Sequence, residues 1–160
     1  MTRVYVGIGS NVEPEAHVLK AVDLMRARFG RITLSPVYRN KAVGFEGDDF
    51  LNAVAGFDTE LPVPELKTAL DNIEARCGRE RGAARFAPRT LDLDLLIYGD
   101  RIDESLRLPR KEILKYSFVL KPLADIAGSE RHPSEGKTYG ELWSGFAGER
   151  SLAPVSIKGL

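Results

Sequence analysis

Between Arg85 and Asp94 the chain brings together the groups that phosphate chemistry needs, in the order Arg85, Phe86, Ala87, Pro88, Arg89, Thr90, Leu91, Asp92, Leu93 and Asp94. A basic, turn-prone segment runs straight into two carboxylates two residues apart. Side chains alternate along a strand, so Asp92 and Asp94 share one face with Thr90 while Leu91, Leu93 and Leu95 line the other. Two like charges held close repel unless a cation lies between them, and a hard dication with oxygen ligands fills that place. Arginines beside such a metal point to a phosphate chain. The plainer reading is an antiparallel strand whose wet face happens to carry two aspartates. Aspartate is depleted in strands, however, and its repetition in a leucine-rich strand calls for a reason.

The remaining composition narrows the classes. The chain has 160 residues, 43% hydrophobic and 29% charged, with 23 basic and 23 acidic side chains that cancel. The length predicts one domain over residues 1–160, large enough to bury a core without staples. Zero net charge argues against polyanion binding by bulk attraction. An anion site must come from local segregation, which Arg79, Arg81, Arg85 and Arg89 supply against Glu80 alone. Four arginines could also grip RNA, but Phe86 is the one aromatic platform with them, and no nucleic-acid partner is expected. With Cys77 the sole cysteine, an intrachain disulfide and a zinc cluster are excluded. Met1-Thr2-Arg3-Val4 enters a strand pattern with no apolar leader, and no 18-residue apolar run follows. A cytoplasmic protein with no membrane partner is expected.

The elements that must position the aspartates show in the periodicity. Residues 4–8 read as a strand ending in the turn-prone Gly9-Ser10-Asn11. Val18, Val22, Met25 and Phe29 recur at helical spacing between Pro14 and a Gly30 C-cap. Ile32, Leu34 and Val37 around Ser35-Pro36 predict an edge or bulged strand. A loop from 39 to 49 leads to a strand over 50–58, and Leu66, Leu70, Ile73 and Cys77 mark a second helix ending at Gly78, with Cys77 in the core. The aspartate strand reaches about Tyr98. Beyond it the pattern is less regular, with an apolar run at 118–123 and a short helix holding Leu142 and Trp143. The order predicts an α+β fold with a ferredoxin-like βαββαβ core, an antiparallel sheet, helices packed on it and C-terminal additions.

Gly9-Ser10-Asn11, Phe50-Leu51-Asn52 and above all Pro88-Arg89-Thr90-Leu91-Asp92-Leu93-Asp94 resemble the 6-hydroxymethyl-7,8-dihydropterin pyrophosphokinase family of folate biosynthesis, over about residues 4–123. The resemblance implies transfer of the β,γ-pyrophosphate of ATP to a pterin hydroxymethyl group, with magnesium. It implies two Mg²⁺ ions on Asp92 and Asp94, and phosphate clamping by Arg79 and Arg89 on a mobile loop that also carries Arg85 and Arg81, the last the least essential. Planar guanidinium forks suit phosphate oxygens. Asn52 would read the pterin edge, Phe50, Phe86 and Phe118 would wall the ring, and Val43 and Ala42 would offer backbone contacts. Leu95 and Leu106 would line the adenine pocket. Small-molecule substrates and a monomer are the implied partners and state.

Two positions depart from the family pattern. Arg110 stands where a histidine is usual and Tyr116 where an arginine is usual. Arg110 can replace the histidine in gripping the nucleotide, being always charged. These departures also raise alternatives: a weakened paralogue that binds ATP and pterin without turnover, or a pyrophosphokinase for another pterin acceptor. Glu74 reads as a solvent-facing helix residue, and His17 and His132 as structural.

Overall fold

The computed structural model describes residues 1–41, 48–78 and 91–160. The expectations for Ala42, Val43, Arg79, Arg81, Arg85, Phe86, Arg89 and Thr90 lie outside the described residues.

The elements run β1 (Thr2–Ser10), α1 (Pro14–Phe29), β2 (Thr33–Leu34), β3 (Val37–Asn40), β4 (Phe50–Thr59), α2 (Val63–Arg76), β5 (Asp92–Tyr98), a 3₁₀ turn (Glu104–Leu106), α3 (Glu112–Lys115), α4 (Ser117–Ala127), α5 (Tyr139–Ser144) and β6 (Ala153–Val155). The strands form one antiparallel sheet in the order β5-β1-β4-β3-β6, with β2 also paired to β4. This is the expected α+β arrangement, helices packed on an antiparallel sheet.

Proline and glycine set the helix ends. Pro14 opens α1, where its missing N–H costs nothing, and Gly30 closes it at φ 84 with its N–H on the Arg26 carbonyl. Ser35-Pro36 splits the second strand into β2 and β3, both held by β4.

Two apolar layers cover the sheet. On one face Val18, Ala21, Val22 and Met25 of α1 and Leu66, Leu70 and Ile73 of α2 pack on Val4, Val6, Leu91, Leu93 and Leu95. Each such buried Val, Leu, Ile or Met side chain contributes roughly 1.5–3 kcal/mol. Cys77 lies in this core as expected, and burial pushes its thiol pKa up. On the other face Ile113, Leu120, Leu123, Ala127 and Tyr139 pack on Tyr5, Val54, Leu96 and Ile97.

A bulge between Tyr5 and Val6 explains why two neighbours, Leu96 and Ile97, turn to the same face. Leu95 pairs with Val6 and Ile97 with Tyr5, which leaves Leu96 as the extra residue.

One sequence expectation is corrected here, and one run left unassigned takes its place in the fold. β1 does not stop before Gly9-Ser10: these residues pair with Asn52 and Leu51 of β4, and Gly9 also with Asp92 of β5. Two ladders outweigh a local turn preference in a central strand. The run at 118–123 belongs to a helix, α4, because Leu120, Leu123 and Ala127 bury a 3-4 spaced stripe despite Pro122.

Candidate functional site

β5 carries Asp92 and Asp94 to the face opposite α1 and α2, while Leu91, Leu93 and Leu95 point into the core behind them. Opposite Asp94 and Asp92 on β1 lie Gly7 and Gly9. The lack of side chains there leaves a floor between the carboxylates and β4. A Cβ at Gly9 would come within 3.0 Å of the Asn52 Oδ1. A larger residue there would press on the asparagine's amide and shift it by a few tenths of an ångström.

The result is a cleft of about 360 Å³, lined by Gly7, Gly9, Asn40, Phe50, Asn52, Asp92, Asp94, Leu96, Arg110, Glu112, Tyr116 and Phe118 among others. Phe50 and Phe118 line the cleft together with Asn52, whose amide donates to the Asn40 side chain. Tyr116 stacks on Phe118 with ring centroids 4.8 Å apart and planes 18° apart, and the Lys115 ammonium lies 5.2 Å from the Tyr116 ring centroid. An amide with both donors and an acceptor, in a cleft that also holds aromatic rings, suits a flat heterocycle with mixed edge polarity.

Charges gather in the same cleft. Arg110 Nη2 lies 3.4 Å from Asp94 Oδ1, and its Nε lies 3.0 Å from Glu112 Oε2. Arg110 is 18% exposed. Its place is fixed by the backbone, since the Arg110 N–H donates to the Leu96 carbonyl at 2.9 Å.

Behind the carboxylates sits a residue that sequence reasoning missed. Glu74 of α2 is 8% exposed, and its Oε2 accepts the Leu93 N–H at 2.7 Å. That amide lies on the side of β5 turned away from β1, between the two aspartates. The signal was present as a glutamate one residue past Ile73 on a helix facing the strand, but sequence alone does not show that β5 offers it an unpaired N–H. Asn40 and Glu112 were likewise missed, because β3 register and the α3 turn put them in the cleft.

The structure brings together Asp92, Asp94, Phe50, Asn52, Arg110 and Phe118. It does not bring the side chains of Leu95 and Leu106 there. Leu95 is 3% exposed in the core against α1 and α2, and Leu106 packs on the same core. Strand alternation sends Leu95 away from the aspartates, and Leu96 takes the cleft side.

Among the described residues no group of three or more His, Cys, Asp or Glu could hold a metal by itself. Two carboxylates on one face do fit magnesium, which commonly takes one or two carboxylates and completes its shell with phosphate oxygens and water. The guanidinium already drawn to Asp94 shows that this point attracts positive charge. No helix among the described residues is long and apolar enough to cross a membrane.

Comparison with known proteins agrees with this geometry. The family model described as 7,8-dihydro-6-hydroxymethylpterin-pyrophosphokinase (HPPK) matches residues 5–128. The chain is 40% identical over 151 residues to the 2-amino-4-hydroxy-6-hydroxymethyldihydropteridine pyrophosphokinase of Pseudomonas aeruginosa, covering 88% of this chain and 89% of that one. It is 33% identical to the Aquifex aeolicus protein of the same name, covering 96% of each. Among solved structures it is similar in fold to wild-type Plasmodium falciparum HPPK-DHPS, with TM-score 0.66 and 12% identity over 90% of this chain. The chain spans 43% of the length of that protein.

Proposed function

The chain belongs to the 7,8-dihydro-6-hydroxymethylpterin-pyrophosphokinase family, and on that premise we propose that it transfers pyrophosphate from ATP to the hydroxymethyl group of 6-hydroxymethyl-7,8-dihydropterin. The products are AMP and the pterin diphosphate, a step of folate synthesis. The observation that carries this reading is the pair Asp92 and Asp94 on one wall of a cleft that also holds Asn52 and aromatic rings.

The residues divide the work. Phe50 and Phe118 hold the pterin ring and Asn52, oriented by Asn40, reads its edge. The hydroxymethyl group then points along the floor left open by Gly7 and Gly9, toward the carboxylates. Asp92 and Asp94 would hold two Mg²⁺ ions, which neutralise charge on the triphosphate and help align it for in-line attack. Arg110 adds a fixed cation where the family usually has a histidine. Tyr116, at the other departure, extends the aromatic wall through its stack on Phe118.

Arg79, Arg85 and Arg89 complete the phosphate grip, Phe86 adds an aromatic wall to the ring, and Val43 offers backbone contacts to it. By the family resemblance Leu95 and Leu106 border the adenine. The enzyme works as a monomer in the cytoplasm, on small-molecule substrates alone. In such transfers positioning and charge stabilisation supply most of the rate, so no strong base is required.

The test is turnover in Asp92→Asn and Asp94→Asn, each keeping size while removing charge. Each is expected to lose at least about a thousandfold in kcat, in line with removal of a principal electrostatic group. Near-normal rates in either variant would refute the metal assignment.

A further inference from the structure

Arg110 is held by two carboxylates through different nitrogens: Asp94 faces Nη2 at 3.4 Å and Glu112 faces Nε at 3.0 Å. We propose that Glu112 is a positioning residue, tethering Arg110 through Nε so that its Nη atoms exchange Asp94 for a nucleotide phosphate when Asp94 takes a metal. The inference rests on the pyrophosphokinase reading above and adds to it a residue acting through another.

The geometry favours this division. Glu112 lies 3.0 Å from Nε, at the stem end of the guanidinium, so its charge holds that end in the cleft while the two Nη groups beyond it stay available. With Asp94 ligating a dication, its attraction for the guanidinium is offset by the metal's charge. Without a second anchor a long arginine side chain would swing into solvent.

Glu112 supplies that anchor from the start of α3, and it lines the same cleft as both aspartates. Its Oε2 is buried and has no aligned hydrogen bond among the described residues, although it lies within ion-pair distance of Arg110. The two observations describe one contact, an ion pair with the Nε–H not aimed at the oxygen. Charge on Arg110 is therefore what compensates this oxygen.

Arg110 is the internal counter-ion of Asp94 and competes with metal there until a phosphate draws it away. Metal alone should bind poorly and metal with nucleotide well.

Calorimetry with Mg²⁺ and α,β-methylene-ATP, which lacks the bond that breaks, tests the tether in a double-mutant cycle. Glu112→Gln should weaken analogue affinity about tenfold, the factor carried by ~1.4 kcal/mol, and Glu112→Asp should recover part of it. Arg110→Gln should also weaken it, and adding Glu112→Gln should then change it by less than about twofold. Mn²⁺ alone, followed by its electron paramagnetic resonance, should bind Arg110→Gln more tightly than the parent.

If Glu112→Gln stays within about twofold of the parent, or costs as much without Arg110 as with it, the inference fails. Weaker or unchanged Mn²⁺ binding in Arg110→Gln overturns the counter-ion part. Failure of the parent itself to bind the analogue with Mg²⁺ would instead refute the proposed function.

Discussion

Replacing Glu74 with alanine should cost both stability and metal affinity, although the residue lies behind the cleft rather than in it. Its carboxylate accepts the Leu93 N–H at 2.7 Å in a buried setting. A hydrogen bond to a charged partner contributes about 1.5–3 kcal/mol net, and the amide left behind is a buried donor on the far side of β5. Alanine's better helix propensity recovers no more than a few tenths of a kcal/mol. The expected loss is therefore ~2 kcal/mol, which for a domain of this size lowers Tm by about 4–8 °C. Glu74→Gln keeps an acceptor oxygen and should lose about half as much. Urea and thermal unfolding read the stability, and Mn²⁺ titration in the presence of ATP reads the site. Because Leu93 joins the two aspartates, both readouts should fall together in Glu74→Ala. Stability within about 0.5 kcal/mol of the parent, with unchanged metal affinity, would show that the contact does not hold β5 in place.

Gly9→Ala places a methyl group 3.0 Å from the Asn52 Oδ1, so pterin affinity measured by calorimetry should drop about tenfold while nucleotide affinity is little changed; equal pterin binding would contradict the role of Asn52. Asp92→Ala and Asp94→Ala should abolish turnover yet unfold at parental urea concentration, since both side chains are only half-buried; a large stability loss in either would mark it as structural. His132 is buried, and burial holds its pKa below 6.5 despite the opposing pull of Glu135. The unfolded chain then binds a proton that the native state refuses, so stability is full above about pH 6.5 and declines as the pH falls below it. His132→Asn should flatten that acid-side decline, and parallel unfolding curves at pH 7.5, 6.5 and 5.5 would argue against it.

The parts of the fold with strong periodicity were legible in the sequence. Pro14 and Gly30 bracketed α1, Leu66, Leu70 and Ile73 marked α2, and the alternation around Asp92 and Asp94 put both carboxylates on the cleft side. What stayed hidden depended on partners far along the chain. Gly9 and Ser10 look like a turn until β4 and β5 pair with them. β6 is three residues long and exists because β3 offers Val37 to Val155 and Tyr38 to Pro154. Leu95 faces the core as alternation predicts, and only the bulge at Leu96 brings Ile97 to the same face as Leu96. Glu74 and Glu112 are ordinary helix glutamates by sequence, and only the strand amide and the guanidinium beside them give them work.

Product identity tests the central claim most directly. With ATP labelled in the β-phosphate, magnesium and 6-hydroxymethyl-7,8-dihydropterin, the account predicts unlabelled AMP and a pterin carrying the label in equal amounts. Labelled ADP, or AMP with no labelled pterin, would contradict it.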